Sequence, residues 1–369
     1  MKNPNPYKSL EENILKIGNR PIFFIGAGIS IRYINSPNWK QLLENLANKI
    51  KINFPFEYFL QKYDSNYERI ASELADYYFE LAWTDLKKYN EGYYSSKYPK
   101  DIFLKIEIAK IIKEIEEEKD YLKNQGLHDE YQLFRKTNPH SIITTNYDTF
   151  LEKSFPNSSI IVGQNIISEK SKGNKRKILK IHGSITYPPS IIIDERDYEH
   201  FINTKKYLTA KLLTYFLEYP VIIMGYSLND RNILGILQTI SEIDLRDEKI
   251  NNIWFVNFTK NTFQNLDLLD EKNIVLPNNK TIRVNLLHVR SFTKLYESII
   301  RTNQFPYSIS AIANELGYSN WKQIEKFMKE IENSKNLSDL IYITTFGKRY
   351  SDEYYKQIKM LSDVDKLGF

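Results

Sequence analysis

An α/β fold with a mainly parallel sheet, a helical insertion and a small α-helical C-terminal region is the architecture this sequence predicts. Three observations point to it. Short apolar runs that stop at glycine or a small polar residue recur along the chain. Segments with helical spacing lie between several of these runs. A long stretch near the N-terminal third shows helical spacing and almost no strand signal. Parallel neighbours need a crossover connection, and a helix is the usual one, so alternation of this kind favours a parallel sheet.

Element by element, residues 1–19 read as a short helix, with Leu10, Ile14 and Ile17 on one face. The run PIFFI at 21–25 is continuously apolar and ends at Gly26, the pattern of a strand covered on both faces. Beyond Pro37, the positions Trp39, Leu42, Leu43, Leu46 and Ile50 mark a second helix. From about 54 to 137 the spacing is helical nearly throughout, clearest at 67–81 and 102–123, which reads as a lobe inserted beside the sheet. Its acidic run EIEEEKD (114–120) reads as a solvated helix face rather than a metal site. Strand signals return at 140–144, 160–162, 178–181, 221–224, 253–256 and 284–288, with helices at 198–218 and 231–243. After residue 290 strands become scarce. The chain therefore divides into a domain at 1–290 and a helical region at 291–369.

Composition narrows the function classes. The net charge is only +5, from 51 basic and 46 acidic residues, which does not mark a nucleic-acid binder. With no cysteine, disulfides and cysteine-based zinc ribbons are excluded. The first twenty residues lack the apolar core of a signal peptide, and the apolar runs are too short to span a bilayer. A soluble, cytoplasmic protein is expected. The 27 tyrosines are spread along the whole chain and carry no functional weight.

Four strand ends carry residues suited to chemistry. Gly26-Ala27-Gly28-Ile29-Ser30 follows the first strand, where glycines let a backbone approach a phosphate and helix amides favour an anion. The competing reading is a tight turn with no ligand, since the third glycine of the usual dinucleotide fingerprint is absent. Asn146 and Asp148, in the segment TTNYD, can face one crevice or cap the following helix. His182, in KIHGS, has the intrinsic basicity of a general base, and its glycine-rich strand end separates it from the other four histidines. Gly225 and Ser227, in GYS, suit a ribose or phosphate contact, with capping by Ser227 or Asp230 as the compatible alternative. In a parallel sheet such ends converge on one edge.

The order GAGIS, TTNYD, KIHGS, GYS resembles the sirtuin superfamily, and most closely its prokaryotic branch of antiphage-defence NADases. Pro37 and Trp39 after GAGIS, and the segment GYSLNDRNI, add to the likeness, which runs from about residue 21 to 288. The resemblance implies a Rossmann-like sheet and NAD as substrate. It implies that Gly26, Ala27, Gly28 and Ser30 line the pyrophosphate and nicotinamide-ribose site, and that Asn146 holds a catalytic water or a ribose hydroxyl. Asp148 would orient the nicotinamide end, and His182 would be the general base. Gly225 and Ser227 would contact the adenosine half, and Asn257 the adenine ribose. The departures matter as well. Zinc-binding sirtuins carry paired cysteines after the HG motif, where this chain has SITYPPSIIIDERDYEH. The implied activity is therefore NAD cleavage with water as acceptor and no zinc, rather than deacylation.

Residues 308–329 resemble a helix-turn-helix unit around Gly317, with Lys322, Lys326 and Lys329 on the second helix. The small net charge makes a packed helical hairpin the preferred reading over DNA contact. By the same resemblance, a homo-oligomer that docks on a separate partner such as a HerA-type ATPase is expected. A non-catalytic NAD-sensing subunit and an ADP-ribosyltransferase are the alternatives. The hydrolase and the sensing subunit use the same glycines, but only the hydrolase requires Asn146 and His182.

Overall fold

The strand β1 (Ile22–Ile25) is wholly buried, and its side chains alternate between two cores, as a strand between two helix layers requires. The computed structural model describes residues 5–304 apart from 51, 53, 119–120, 164–175, 205, 228–232, 236, 239–240, 242–248 and 260–268. The helix-turn-helix-like segment and Asp230 lie outside the described residues.

The remaining strands are β2 (Ser141–Thr144), β3 (Ser159–Val162), β4 (Lys177–Lys180), β5 (Val221–Met224), β6 (Lys249–Phe258), β7 (Leu269–Val275) and β8 (Thr281–Val289). They form one eight-stranded sheet in the order β3-β4-β2-β1-β5-β6-β8-β7. Every pairing is parallel except that of β7 with β8. The expected α/β class, Rossmann-like and mainly parallel, is the class observed. The strand β7 had no clear signal, because LDEKNIV neither alternates nor forms an apolar run. It joins the edge through a tight turn. There Asn279 adopts φ 62°, and the amide of Leu276 donates to the carbonyl of Lys280 at 2.8 Å.

Helices cover both faces. One core joins Ile22, Phe24, Ile143 and Ile223 to Leu212 and Phe216 of a helix at Lys206–Glu218. The other joins Phe23, Ile25, Ile142 and Ile222 to α1 (Pro6–Ile17), α2 (Ala27–Ile34) and the later helices described below. The boundaries of α1 are written in its ends. Asn5 accepts from the amide of Tyr7, Pro6 opens the first turn, and Gly18 closes the helix at φ 73°.

The lobe is built from α3 (Trp39–Lys49), α4 (Phe56–Lys62), α5 (Tyr67–Thr84) and α6 (Ile102–Glu116), which share a third core. Its extent differs from the sequence expectation at both ends. Leu42, Leu43 and Leu46 place α3 inside the lobe core. Past α7 (Tyr121–Asn124), Phe134 of α8 (His128–Lys136) packs instead against the sheet. The acidic run is also not uniformly solvated. Glu116 turns inward, where it accepts from the hydroxyl of Thr149 at 2.6 Å and from Lys153 at 2.7 Å. It thereby anchors the start of α9 (Phe150–Ser154). The chain then continues through α10 (Glu195–Thr204) and α11 (Lys206–Glu218). It reaches α12 (Thr293–Gln304), which packs on α1 and α8 through Leu295, Tyr296 and Ile299.

His140, just before β2, is expected to make the fold acid-sensitive. Its ring lies 4.5 Å from that of Tyr219. Burial pushes its pKa down to about 4, aided by the positive charges of Arg20, Lys177 and Lys211. The folded state thus takes up the proton less readily than the unfolded chain. Stability should fall as pH drops from about 6.5 to about 4, by about 3 kcal/mol at most. Urea titrations of wild type and His140→Gln across that range check this, and equal slopes for the two would refute it.

Candidate active site

The strand order reverses between β1 and β5: β2, β4 and β3 extend to one side, β6 and β8 to the other. Loops after the strands diverge at such a point and leave a crevice for ligands. Here the two loops are pressed together. The amide of Gly26 donates to the carbonyl of Met224, and that of Gly28 to the carbonyl of Gly225 at 3.0 Å. A Cβ on Gly28 would lie 2.8 Å from the Cα of Gly225. One on Gly225, whose φ is 77°, would lie 2.7 Å from the carbonyl of Gly26. These glycines are needed for backbone-to-backbone approach. The amides of Gly28 and Ile29 are both taken within the fold, so they are not presented to an anion.

Asn146 is the best-determined polar group of the site. It is 7% exposed. Its Nδ2 donates to the carbonyl of Gly26 at 3.1 Å and to Oγ of Ser30 at 2.8 Å. A backbone carbonyl can only accept, so chemistry alone fixes which way the amide points. Both amide hydrogens are then committed, and Oδ1 remains as the acceptor for a ligand hydroxyl or a water. The segment is held from beneath by Thr144, whose hydroxyl donates to the carbonyl of Ile25 at 2.7 Å and accepts from the amide of Asn146 at 3.0 Å.

Asp148 is buried, and its Oδ1 accepts from the amide of Phe150 at 3.1 Å, so it does help begin α9. Burial raises its pKa above the ordinary carboxylate range, while Lys180 and a hydrogen bond from Ser30 pull it back. Lys180 belongs to the KIHGS segment but was given no role from the sequence. It is fully buried, and its Nζ donates to the carbonyls of Tyr147 and Asp148 and to Glu152 at 2.7 Å. A lysine on β4 thus supports the loop that carries Asn146 and Asp148.

His182 is also buried, and its carbonyl accepts from the amide of Ile192 at 3.0 Å. Gly183 follows at φ 94°, and a Cβ there would fall 2.2 Å from the carbonyl of Ser190. No other residue fits after this histidine without moving the backbone. At the end of β5, the hydroxyls of Tyr226 and Thr145 lie 2.8 Å apart, which links two strand ends across the crevice.

The structure brings these groups to one cavity of about 220 Å³. Ala27, Ser30, Asn146, Asp148, His182, Gly225 and Ser227 line it. Gly26 and Gly28 shape the wall behind it. Asn257 is not on the lining: it is the penultimate residue of β6, two strands from β1, and its amide lies 3.0 Å from Nδ1 of His288. Another part of the lining carries no strand-end signal. It comes from the lobe and α10 and includes Ser36, Leu42, Ile112 and Tyr198, with Trp39 of the Pro-x-Trp element. A cavity lined by a few polar groups together with apolar and aromatic side chains is the usual make-up of a small-molecule site.

The fold and site together define an α/β protein with a Rossmann-like, mainly parallel sheet. Residues 140–276 match the family model described as SIR2-like domain. The chain is similar to the NAD(+) hydrolase ThsA of Acinetobacter baumannii (strain 532279), with 27% identity over 240 residues, 63% of this chain and 40% of the relative. It is also similar to the NAD(+) hydrolase ThsA of Bacillus cereus (strain MSX-D12), with 23% identity over 231 residues, 61% of this chain and 41% of the relative. The chain therefore spans about two fifths of the length of the curated relatives it matches. Among the described residues, no helix is long and apolar enough to cross a membrane.

Proposed function

We propose that this chain is an NAD hydrolase that releases nicotinamide and ADP-ribose, and that it acts in the cytoplasm in bacterial antiphage defence. The observation that carries the reading is the convergence of Asn146, Asp148 and His182 on one cavity at the sheet's switch point. Similarity to two proteins named NAD(+) hydrolase supports it.

In this reading the bond between the ribose C1′ and the nicotinamide nitrogen breaks, and its electron pair leaves with the ring. Nicotinamide departs as a neutral molecule from a cationic pyridinium, so departure needs no strong acid. The ribose passes through a state resembling an oxocarbenium ion. Water then bonds to C1′ and loses one proton. The protein's task is to hold the ribose, admit one water and exclude other nucleophiles. Asn146 Oδ1 accepts a hydrogen bond from that water or from a ribose hydroxyl. His182 takes the proton as general base. Asp148, whose pKa burial raises, orients the nicotinamide end. Asn257 is the proposed contact for the adenine ribose, at the far end of the ligand.

The same reading includes a homo-oligomer that docks on a separately encoded partner, such as a HerA-type ATPase. Exposed apolar side chains on the lobe, among them Phe54, Trp83 and Leu86, support a docking role for the lobe.

The test is incubation of the protein with NAD, alone and with the products of its genomic neighbours, with chromatography of the products. Nicotinamide and ADP-ribose in equal amounts are expected. Binding of NAD with no nicotinamide released under any condition would replace the hydrolase with a sensing subunit. A labelled macromolecule in place of ADP-ribose would make the protein a transferase.

A further inference from the structure

A histidine can act as a base only through the ring nitrogen that lacks a proton, so something must decide which nitrogen that is. At His182 the hydroxyl of Tyr198 is placed to pair with one of the two nitrogens. The hydroxyl of Tyr198 lies 3.5 Å from His182 Nδ1, a long contact of the kind that tightens when a ligand closes a site. The rings of Tyr198 and Phe201 both meet the imidazole edge to face, at 5.4 and 5.0 Å and 89° each. These two residues are three apart on α10, so one helix face grips the imidazole.

The grip is itself braced. The indole of Trp39 stacks on the Tyr198 ring at 5.8 Å and 28°, and the ring of Tyr67 lies 5.7 Å from that indole. The start of α10 is pinned by a reciprocal cap. Asp194 Oδ1 accepts from the amide of Asp197 at 2.8 Å, and Asp197 Oδ2 accepts from the amide of Ile193 at 2.9 Å. Lys105 of α6 then ties Asp197 (2.8 Å) to Asp101 (3.1 Å). Trp39, Tyr198 and His182 all line the same cavity.

We propose that Tyr198, braced by Trp39, is the positioning residue that sets the orientation and tautomer of His182. Nδ1–H donates to the phenolic oxygen, and Nε2 is left as the basic nitrogen. The proposal rests on His182 being the general base of the reading above. It also accounts for the Pro-x-Trp element, whose tryptophan reaches the histidine through one intervening ring.

The experiment is ¹⁵N NMR of the histidine side chains in wild type and Tyr198→Phe, which keeps the ring and removes only the hydroxyl. The chain has five histidines, and the His182 signals are those lost in His182→Gln. Wild type should show His182 protonated on Nδ1 with an unprotonated Nε2. Tyr198→Phe should show a mixture of tautomers at an unchanged melting temperature. Nicotinamide release by that variant should fall about tenfold in kcat with little change in KM. A wild-type proton on Nε2, or the same tautomer in both proteins, overturns the proposal. Because the NMR readout needs no turnover, it judges Tyr198 even if no NAD is cleaved. A lack of nicotinamide release with the tautomer shift intact would count against the hydrolase reading alone.

Discussion

Asn146→Ala is expected to lower nicotinamide release by about 10² to 10³-fold while leaving a folded protein. The substitution removes an acceptor that the surrounding hydrogen bonds hold in place, since Nδ2 is tied to Gly26 and Ser30. A ligand hydroxyl or attacking water would then lose its fixed partner at a buried position, where such a partner counts most. The change also leaves a buried carbonyl and hydroxyl without their donor, which costs about 1–3 kcal/mol of stability. His182→Ala should show a comparable loss of rate, about 10² to 10⁴-fold, through removal of the base. Steady-state release of nicotinamide, with melting temperatures as controls, measures both. An Asn146→Ala protein that kept more than a tenth of wild-type activity would end the assignment of that residue.

The second large effect concerns stability. Glu130→Ala should destabilise the fold by about 3–5 kcal/mol, the range for stripping one partner from a buried ion pair. Five hydrogen bonds converge on this carboxylate. They come from Arg32 Nε at 2.6 Å, a second Arg32 nitrogen at 2.9 Å, the Tyr33 hydroxyl at 2.7 Å, the Ser291 hydroxyl at 2.6 Å and the Phe292 amide at 2.9 Å. Burial alone would raise its pKa, but the bonds from Arg32, Ser291 and Tyr33 outweigh burial and hold it below the ordinary value of 4.5. A depressed carboxylate contributes stability above the unfolded pKa and loses it as pH falls through the folded one. The Glu130 contribution should therefore persist to about pH 4.5 and vanish below it, a lower window than that of His140. Urea unfolding at neutral pH is the measurement, and a loss under 1 kcal/mol would refute the claim. Because α2 carries Ser30 as well as Arg32 and Tyr33, the same variant should loosen the anchor of Asn146.

The stretches legible in the sequence are those whose information is local. PIFFI and VIIM are apolar throughout, and SIIT and KILK in their central pairs, because both faces of a central strand are covered, and that is visible without knowing what covers them. The strand-end motifs were legible for the same reason, since each sits at the point where an apolar run gives way to glycine or polar residues. Given a parallel sheet, their convergence followed. Helix periodicity, by contrast, shows that a face is buried but not against what. It could not tell that α3 belongs to the lobe and α8 to the sheet, or that Glu116 faces inward.

The sequence by itself determined the α/β class, the strand positions at the centre of the sheet and seven residues that line the cavity. Only the tertiary structure decided what those residues do to one another. Gly28 and Gly225 meet backbone to backbone, Lys180 supports the loop of Asn146 and Asp148, and Trp39 stacks on Tyr198 against His182. The reason is one of range. A strand, a cap or a turn is set by a few neighbouring residues, whereas two of these contacts, Gly28 with Gly225 and Trp39 with Tyr198, join segments more than a hundred positions apart. No local pattern records them, because they exist only once the sheet and the lobe have closed on each other.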